Sequence, residues 1–258
     1  MERLTSTSGS ITAFRTGAGP DLVVLHSLLT DYAAFAGVLP QLSTNRRTTL
    51  INLPGFHGSS AIAGTPAAYV GWLGEAFDAF GIRPGAALLG NGFGGTVALA
   101  FALDHAERIS QLVLCDVAAG FPEEGKQAFS VMAEKVAQSG MGAIAEIAAR
   151  RVYHDAYIAR NADVIAERRD VLLGVEPAAF QAACALLVEI DLLPRCAGLR
   201  VPTRLLYGEL DQATPPALNR AIAERVPGAT VRMLAGCGHC PPLEAPDAFM
   251  AAVADVLR

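Results

Sequence analysis

Short apolar runs alternate along the chain with longer stretches in which apolar positions recur every three or four residues. Residues 22–26, 48–52, 86–90, 112–116, 203–207 and 230–234 form the runs and read as strands. Their near-continuous hydrophobicity is that of parallel strands covered on both faces, which require helical crossovers between them. The helical pattern falls at 33–42, 66–80, 94–105, 215–225 and 246–257, in the intervals where such crossovers belong. The spacing therefore predicts an α/β protein with a mostly parallel central sheet flanked by helices.

The alternation lapses between residues 119 and 194. Helical periodicity continues there over 124–138, 142–152, 156–173 and 177–190, with no strand between. The expected organisation is a core built from 1–118 and 195–258 and a helical cap inserted at 119–194. A cap entering between two strands of one sheet would lie over the strand ends, where open α/β sheets bind their ligands.

Composition narrows the picture. With 258 residues, 52% of them hydrophobic, the chain can bury a large core. A net charge of -5 without basic clusters makes nucleic acid an unexpected partner. The N-terminus shows no charged segment followed by an apolar run, and no stretch approaches about eighteen uninterrupted apolar residues. A cytoplasmic protein away from membranes is the expectation. The five cysteines, Cys115, Cys184, Cys196, Cys237 and Cys240, are scattered among apolar residues and read as reduced, buried thiols. Cys237 and Cys240 form a CxxC, but no second ligand pair accompanies it, so no metal site is expected.

Candidate chemistry gathers at three loops that follow strands. The first is Leu88-Leu89-Gly90-Asn91-Gly92-Phe93-Gly94-Gly95, a strand turning sharply into a helix. Gly90, Gly92 and Gly95 satisfy a dinucleotide-binding GxGxxG, and Asp116 stands where that motif places its acidic residue. The strands upstream, the insertion after Asp116 and the two C-terminal loops favour a nucleophile elbow instead. The second loop, Gly208-Glu209-Leu210-Asp211, leaves a carboxylate beyond a strand end. The third, Gly236-Cys237-Gly238-His239-Cys240, frees an imidazole to project into a cleft. Singly, Asp211 reads as a helix cap and His239 as a packed loop residue. In the order elbow, acid, histidine they read as a proton relay, with His239 the general base and Asp211 its orienting partner.

Together with Asn52-Leu53-Pro54-Gly55-Phe56-His57-Gly58-Ser59, these motifs resemble the α/β-hydrolase superfamily over nearly the whole chain. Within it, His26-Ser27-Leu28-Leu29-Thr30-Asp31 and the segment around Gln138 to Tyr153 look like the 3-oxoadipate enol-lactone hydrolases of aromatic catabolism, and the elbow is also similar to that of meta-cleavage C–C hydrolases. The resemblance implies a helical cap, no cofactor and no metal. It implies a small-molecule substrate, a carboxylated lactone, ester or diketone, touched by Ser27 and by a cap arginine for which Arg151 is the candidate. It also makes the backbone N–H groups of Leu28 and Phe93 the oxyanion-hole donors. His26 is expected to hold its loop, Glu244 to cap the last helix, and a homodimer is compatible with the sequence.

The departure is Gly92, which stands where the resemblance expects the nucleophilic serine. No acyl-enzyme can form on a residue without a hydroxyl, and losing a triad nucleophile removes about six orders of magnitude in turnover. Three readings follow. Gly92 has replaced a serine in a hydrolase whose pocket and dyad are otherwise intact; or the chain is an active enzyme using Asp211 and His239 without that serine; or it is a binder of small carboxylates. Glycine tolerates the elbow backbone readily, so the turn itself is expected to persist with less strain.

Overall fold

The computed structural model describes residues 1–257. Eight strands form one sheet: β1 (Glu2–Thr5), β2 (Thr12–Thr16), β3 (Asp21–Leu25), β4 (Arg47–Ile51), β5 (Ala86–Asn91), β6 (Ile109–Cys115), β7 (Thr203–Gly208) and β8 (Thr230–Leu234), in spatial order β1-β2-β4-β3-β5-β6-β7-β8. Pairing is antiparallel from β1 to β2 and from β2 to β4, and parallel throughout the remaining strands. Every residue of β3, β5 and β7 is buried, which is why their sequences are almost unbroken apolar runs.

The six expected strands are present, each within a few residues of its predicted bounds. The sequence pattern misses β1 and β2. They form an edge hairpin that includes the exposed Arg3 and the half-buried Arg15, so no apolar run announces them. The helix expected over 33–42 is instead a short turn at Tyr32–Phe35 and a separate α1 (Leu39–Leu42), with Gly37 between them and Pro40 starting the second piece.

Two helices back the centre of the sheet, α2 (Pro66–Ala79) and α3 (Phe93–Asp104). Apart from Leu103 and Asp104, every residue of α3 is buried, because it lies between the sheet and α2, where Phe77 packs on Phe101 with ring centroids 5.0 Å apart. Leaving β3, the chain crosses to β4 on one side and then returns to β5 on the other. The carboxyl ends of β3 and β5 are thus the switch point of the sheet, where the diverging loops leave a crevice.

Between β6 and β7 lie α4 (Glu123–Ser139), α5 (Ala145–Val152), α6 (Asp155–Arg160), α7 (Val164–Leu173) and α8 (Pro177–Glu189). The single helix predicted over 156–173 is two, α6 and α7. The chain breaks at Asn161, whose side-chain amide donates to Tyr157 O at 2.9 Å and satisfies a carbonyl of the last turn. After β7 come α9 (Pro216–Arg225), α10 (Pro241–Glu244) and α11 (Pro246–Val253), the last ending short of the expected residue 257. Among the described residues no single helix is long and apolar enough to cross a membrane.

Polar contacts fasten this helical segment to the loops at the strand ends, two of them beside the crevice. His239 N–H donates to Val152 O at 3.2 Å. Arg168 of α7 donates to Asp31 Oδ1 at 3.0 Å, both residues buried, and His57 Nε2 lies 3.0 Å from Asp31 Oδ2. Burial alone would raise the Asp31 carboxyl, but the hydrogen bond from His57 and the charge and hydrogen bond of Arg168 overcome it and bring it down to about 2.

Gly90 faces Gly94 and Gly95 so closely that a β-carbon on it would stand 2.6 Å from Gly94 O and Gly95 N. Those atoms are backbone and cannot swing aside. Gly90→Ala is therefore expected to cost more than the roughly 1–3 kcal/mol of ordinary overpacking, read from urea unfolding midpoints. Arg168→Met leaves Asp31 buried without its main cation and is expected to cost about 3 kcal/mol at neutral pH. Because the folded pKa of Asp31 lies below its unfolded value, its stabilisation is present above about pH 4 and disappears as pH falls through about 2. The same unfolding experiment repeated down that pH range should show a smaller acid loss in Arg168→Met than in the wild type.

Candidate active site

The elbow is present. Strand β5 ends at Asn91, helix α3 begins at Phe93, and Gly92 between them has φ 54° and ψ -122°. A side chain in that conformation costs about 1–3 kcal/mol; glycine adopts it freely, which removes the strain. The turn is held by Gly92 N–H donating to Cys115 O at 2.8 Å and by the contact of Gly90 with Gly95.

Asp211 and His239 converge on this turn. Asp211 Oδ1 accepts from the amides of Ala213 and Thr214 at 2.7 and 3.0 Å; Oδ2 accepts from Thr214 Oγ1 at 2.6 Å and lies 2.9 Å from His239 Nδ1. An ionised Asp211 only accepts, so Nδ1 carries the proton and Nε2 presents its lone pair to the cleft. Burial would raise Asp211, but the charge and hydrogen bond of His239, with the hydrogen bonds from the Thr214 hydroxyl and amide, bring it down to about 2.

The loop carrying the imidazole is clamped from both sides. Glu244 Oε2 accepts from Gly238 N–H at 3.0 Å and Oε1 from Cys240 N–H at 2.8 Å, so Glu244 binds the amides flanking His239 and does not cap the last helix. Burial pushes its carboxyl up to about 7. Asn91 Nδ2 donates to His239 O and to Cys115 O, both at 3.1 Å, tying the elbow to the histidine loop.

Asp116 is fully buried behind Asp211 with φ 53°, and its Oδ1 accepts from Gly208 N–H at 2.8 Å. Burial, and then the charge of Asp211, push its carboxyl well above the usual range. It is out of reach of any ribose, which removes the acidic partner that a dinucleotide fingerprint needs. Ligand atoms of Asp116, Asp211 and His239 lie within 4.8 Å of one another, but Asp211 and His239 are hydrogen-bonded to each other and Asp211 also to Thr214. All five cysteines are buried and free.

A cleft of about 490 Å³, counted to its open mouth, lies above the elbow. Ser27, Leu28, Gly92, Phe93 and His239 form its floor; Phe121, Phe129, Met132, Leu187 and Arg151 enclose it from the helical insertion. The expected site residues thus meet around one cavity, with Asp211 directly behind the imidazole. Arg151 has neither hydrogen bond nor ion pair among the described residues, leaving a free guanidinium at an otherwise apolar wall. The amides of Leu28 and Phe93 likewise donate to nothing else in the described chain.

His26 fixes the loop that follows β3. Its Nδ1–H donates to Ser27 O at 2.9 Å and its Nε2 accepts from Leu53 N–H at 3.1 Å, while burial lowers its pKa to about 4 and keeps it neutral. Ser27 Oγ reaches His239 Nε2 at 3.2 Å. Asn91, Thr214, Glu244 and Asp116 organise the site without any clear signal in the sequence as organisers; only their contacts with distant segments reveal them.

The model of the alpha/beta hydrolase fold matches residues 20–246. Pimeloyl-[acyl-carrier protein] methyl ester esterase of Aeromonas hydrophila is 32% identical over 249 residues, 93% of this chain and 96% of that protein. 3-Oxoadipate enol-lactonase 2 of Acinetobacter baylyi is 26% identical over 175 residues, 68% of this chain and 64% of that one. Among solved structures, the enol-lactonase from Burkholderia xenovorans LB400 superposes with a TM-score of 0.90 at 27% identity, covering 99% of both chains. The malate-bound esterase of Thermogutta terrifontis does so with a TM-score of 0.90 at 27% identity over 100% of this chain and 98% of its own. With the family model spanning most of its length and relatives of this similarity, the chain belongs to the alpha/beta hydrolase family.

Proposed function

We propose that the protein hydrolyses small carboxylic esters or lactones whose acyl part bears a carboxylate. The observation that carries this reading is the relay itself: Asp211 Oδ2 lies 2.9 Å from His239 Nδ1, and Nε2 faces the cleft beside Gly92. Such a base removes a proton from an attacking oxygen and returns it to the departing alkoxide. The free amides of Leu28 and Phe93 offer the charge on the tetrahedral intermediate two fixed donors. Similarity to a methyl ester esterase and to enol-lactonases supports the reading, because ester cleavage and lactone opening share attack at an acyl carbon and loss of an alkoxide or enolate. The apolar wall suits a short acyl chain, and Arg151, the one cation among the described residues lining the cleft, is the candidate partner for its carboxylate.

Purified protein is expected to hydrolyse 4-nitrophenyl butyrate and the methyl half-ester of a short dicarboxylic acid. His239→Ala should lose about a thousandfold or more of that rate, and Asp211→Asn roughly four orders of magnitude. A rate unchanged in His239→Ala, or no turnover above buffer on any ester or lactone, would remove the proposal.

Arg151→Met is expected to raise KM for the half-ester by tenfold or more, the loss of one charge-assisted contact of about 1.5–3 kcal/mol, and to leave the neutral 4-nitrophenyl ester unaffected. Equal effects on both substrates would place Arg151 outside substrate recognition.

A further inference from the structure

We infer that the nucleophile has moved across the cleft, from residue 92 to Ser27, so that Ser27, His239 and Asp211 form the working triad; this rests on the ester-hydrolase reading above. A β-carbon added to Gly92 would stand 2.7 Å from His239 Nε2 and closer still to Ser27 Oγ. The Ser27 hydroxyl has therefore taken the volume that a hydroxymethyl group on residue 92 would fill. From there it meets the imidazole at 3.2 Å, and on the far side of the ring Nδ1 meets Asp211 at 2.9 Å. Oxygen, base and acid are each within hydrogen-bond reach of the next, as nucleophilic catalysis requires.

Ser27 has two further properties of a nucleophile. Its carbonyl is fixed by three donors, Thr30 N–H at 3.2 Å, Thr30 Oγ1 at 3.4 Å and His26 Nδ1 at 2.9 Å, so the backbone under the hydroxyl is rigid before substrate arrives. Although 2% exposed, it lines the cleft, and the amide that follows it is that of Leu28. In hydrolases of this fold one oxyanion donor is the amide after the nucleophile and the other comes from the loop across the cleft. With Ser27 attacking, Leu28 takes the first role and Phe93 the second. The same two donors serve with their parts exchanged.

In the reaction, His239 Nε2 takes the Ser27 hydroxyl proton as Oγ bonds to the acyl carbon, and the carbonyl electrons move onto the oxygen facing Leu28 and Phe93. Collapse of that intermediate breaks the ester C–O bond, and the departing alkoxide receives the proton from Nε2. Water then attacks the acyl-Ser27 ester, giving its proton to Nε2, and release of the acid returns the proton to Ser27 Oγ. No bond or proton is left over and no other reactant is needed.

The test is covalent trapping alongside turnover. Wild-type protein treated with a fluorophosphonate is digested and the modified peptide sequenced by mass spectrometry, while 4-nitrophenyl butyrate hydrolysis is followed in wild type and Ser27→Ala. The expected result is a phosphonyl group on Ser27, absent from His239→Ala, and a rate in Ser27→Ala at least about a thousandfold lower with an unchanged unfolding midpoint. Turnover by wild type with no label on Ser27, or turnover within tenfold of wild type in Ser27→Ala, overturns the inference and leaves the hydrolase reading standing with water as the attacking species. Label on Ser27 without hydrolysis of any ester upholds the relocated nucleophile and rejects the proposed substrate class. Neither label nor turnover rejects both. Should Ser27→Ala fail to fold, the site of the label in the wild type alone decides.

Discussion

The turn at Gly92 is the constraint on which the cleft depends. Its backbone is fixed by a hydrogen bond to Cys115 O, and the strand before it and the helix after it are pressed together through Gly90 and Gly95. This packing aims the first amide of α3 into the crevice at the switch point of the sheet. Across that crevice the loop from β3 brings Ser27 and Leu28, fixed by His26. The imidazole of His239 arrives from a third loop, tethered to the elbow by Asn91 and to the helical insertion by Val152 O. Shift the elbow, and the amides of Leu28 and Phe93 and the imidazole of His239 lose registry together.

Electrostatics behind the ring follow from burial. Asp116 and Asp211 are buried close together, and two carboxylates so placed cannot both ionise cheaply. The hydrogen bonds decide between them. Asp211 has two amides, a hydroxyl and the imidazole, and is the one held ionised; Asp116, without a cation beside it, is driven toward the protonated form by burial and by its neighbour's charge. The negative charge of Asp211 therefore lies against Nδ1 of His239, while Asp116 behind it adds none.

What the sequence discloses follows from where the physical information is local. The parallel strands are legible because both their faces are buried, whereas β1 and β2 are concealed because an edge hairpin tolerates polar residues on its open side. Asp211 and His239 are legible because each stands in a loop immediately after a strand. Asn91, Thr214 and Glu244 act through contacts that resemble ordinary polar chemistry until the chain has folded; Asn91 reaches a carbonyl 148 residues away. The two arginines Arg151 and Arg168 make the same point. Arg151 and Arg168 are alike as residue types in a helical segment, yet one is spent on a buried aspartate and the other stands free at the cleft wall. Only the packing of α5 and α7 tells them apart.

Gly92 and Ser27 are best understood as one feature rather than two. A hydroxymethyl group on residue 92 would collide with the Ser27 side chain in its present orientation, so a serine there would force the Ser27 hydroxyl to turn away from His239. With glycine at 92, the space beside Nε2 is left to the Ser27 hydroxyl, which lies 3.2 Å from that nitrogen. Ser27 supplies the nearest hydroxyl and needs no backbone movement to do so. The absence of a hydroxyl on residue 92 and the presence of one on the facing loop are therefore coupled through the volume they would share and through the imidazole that either could reach.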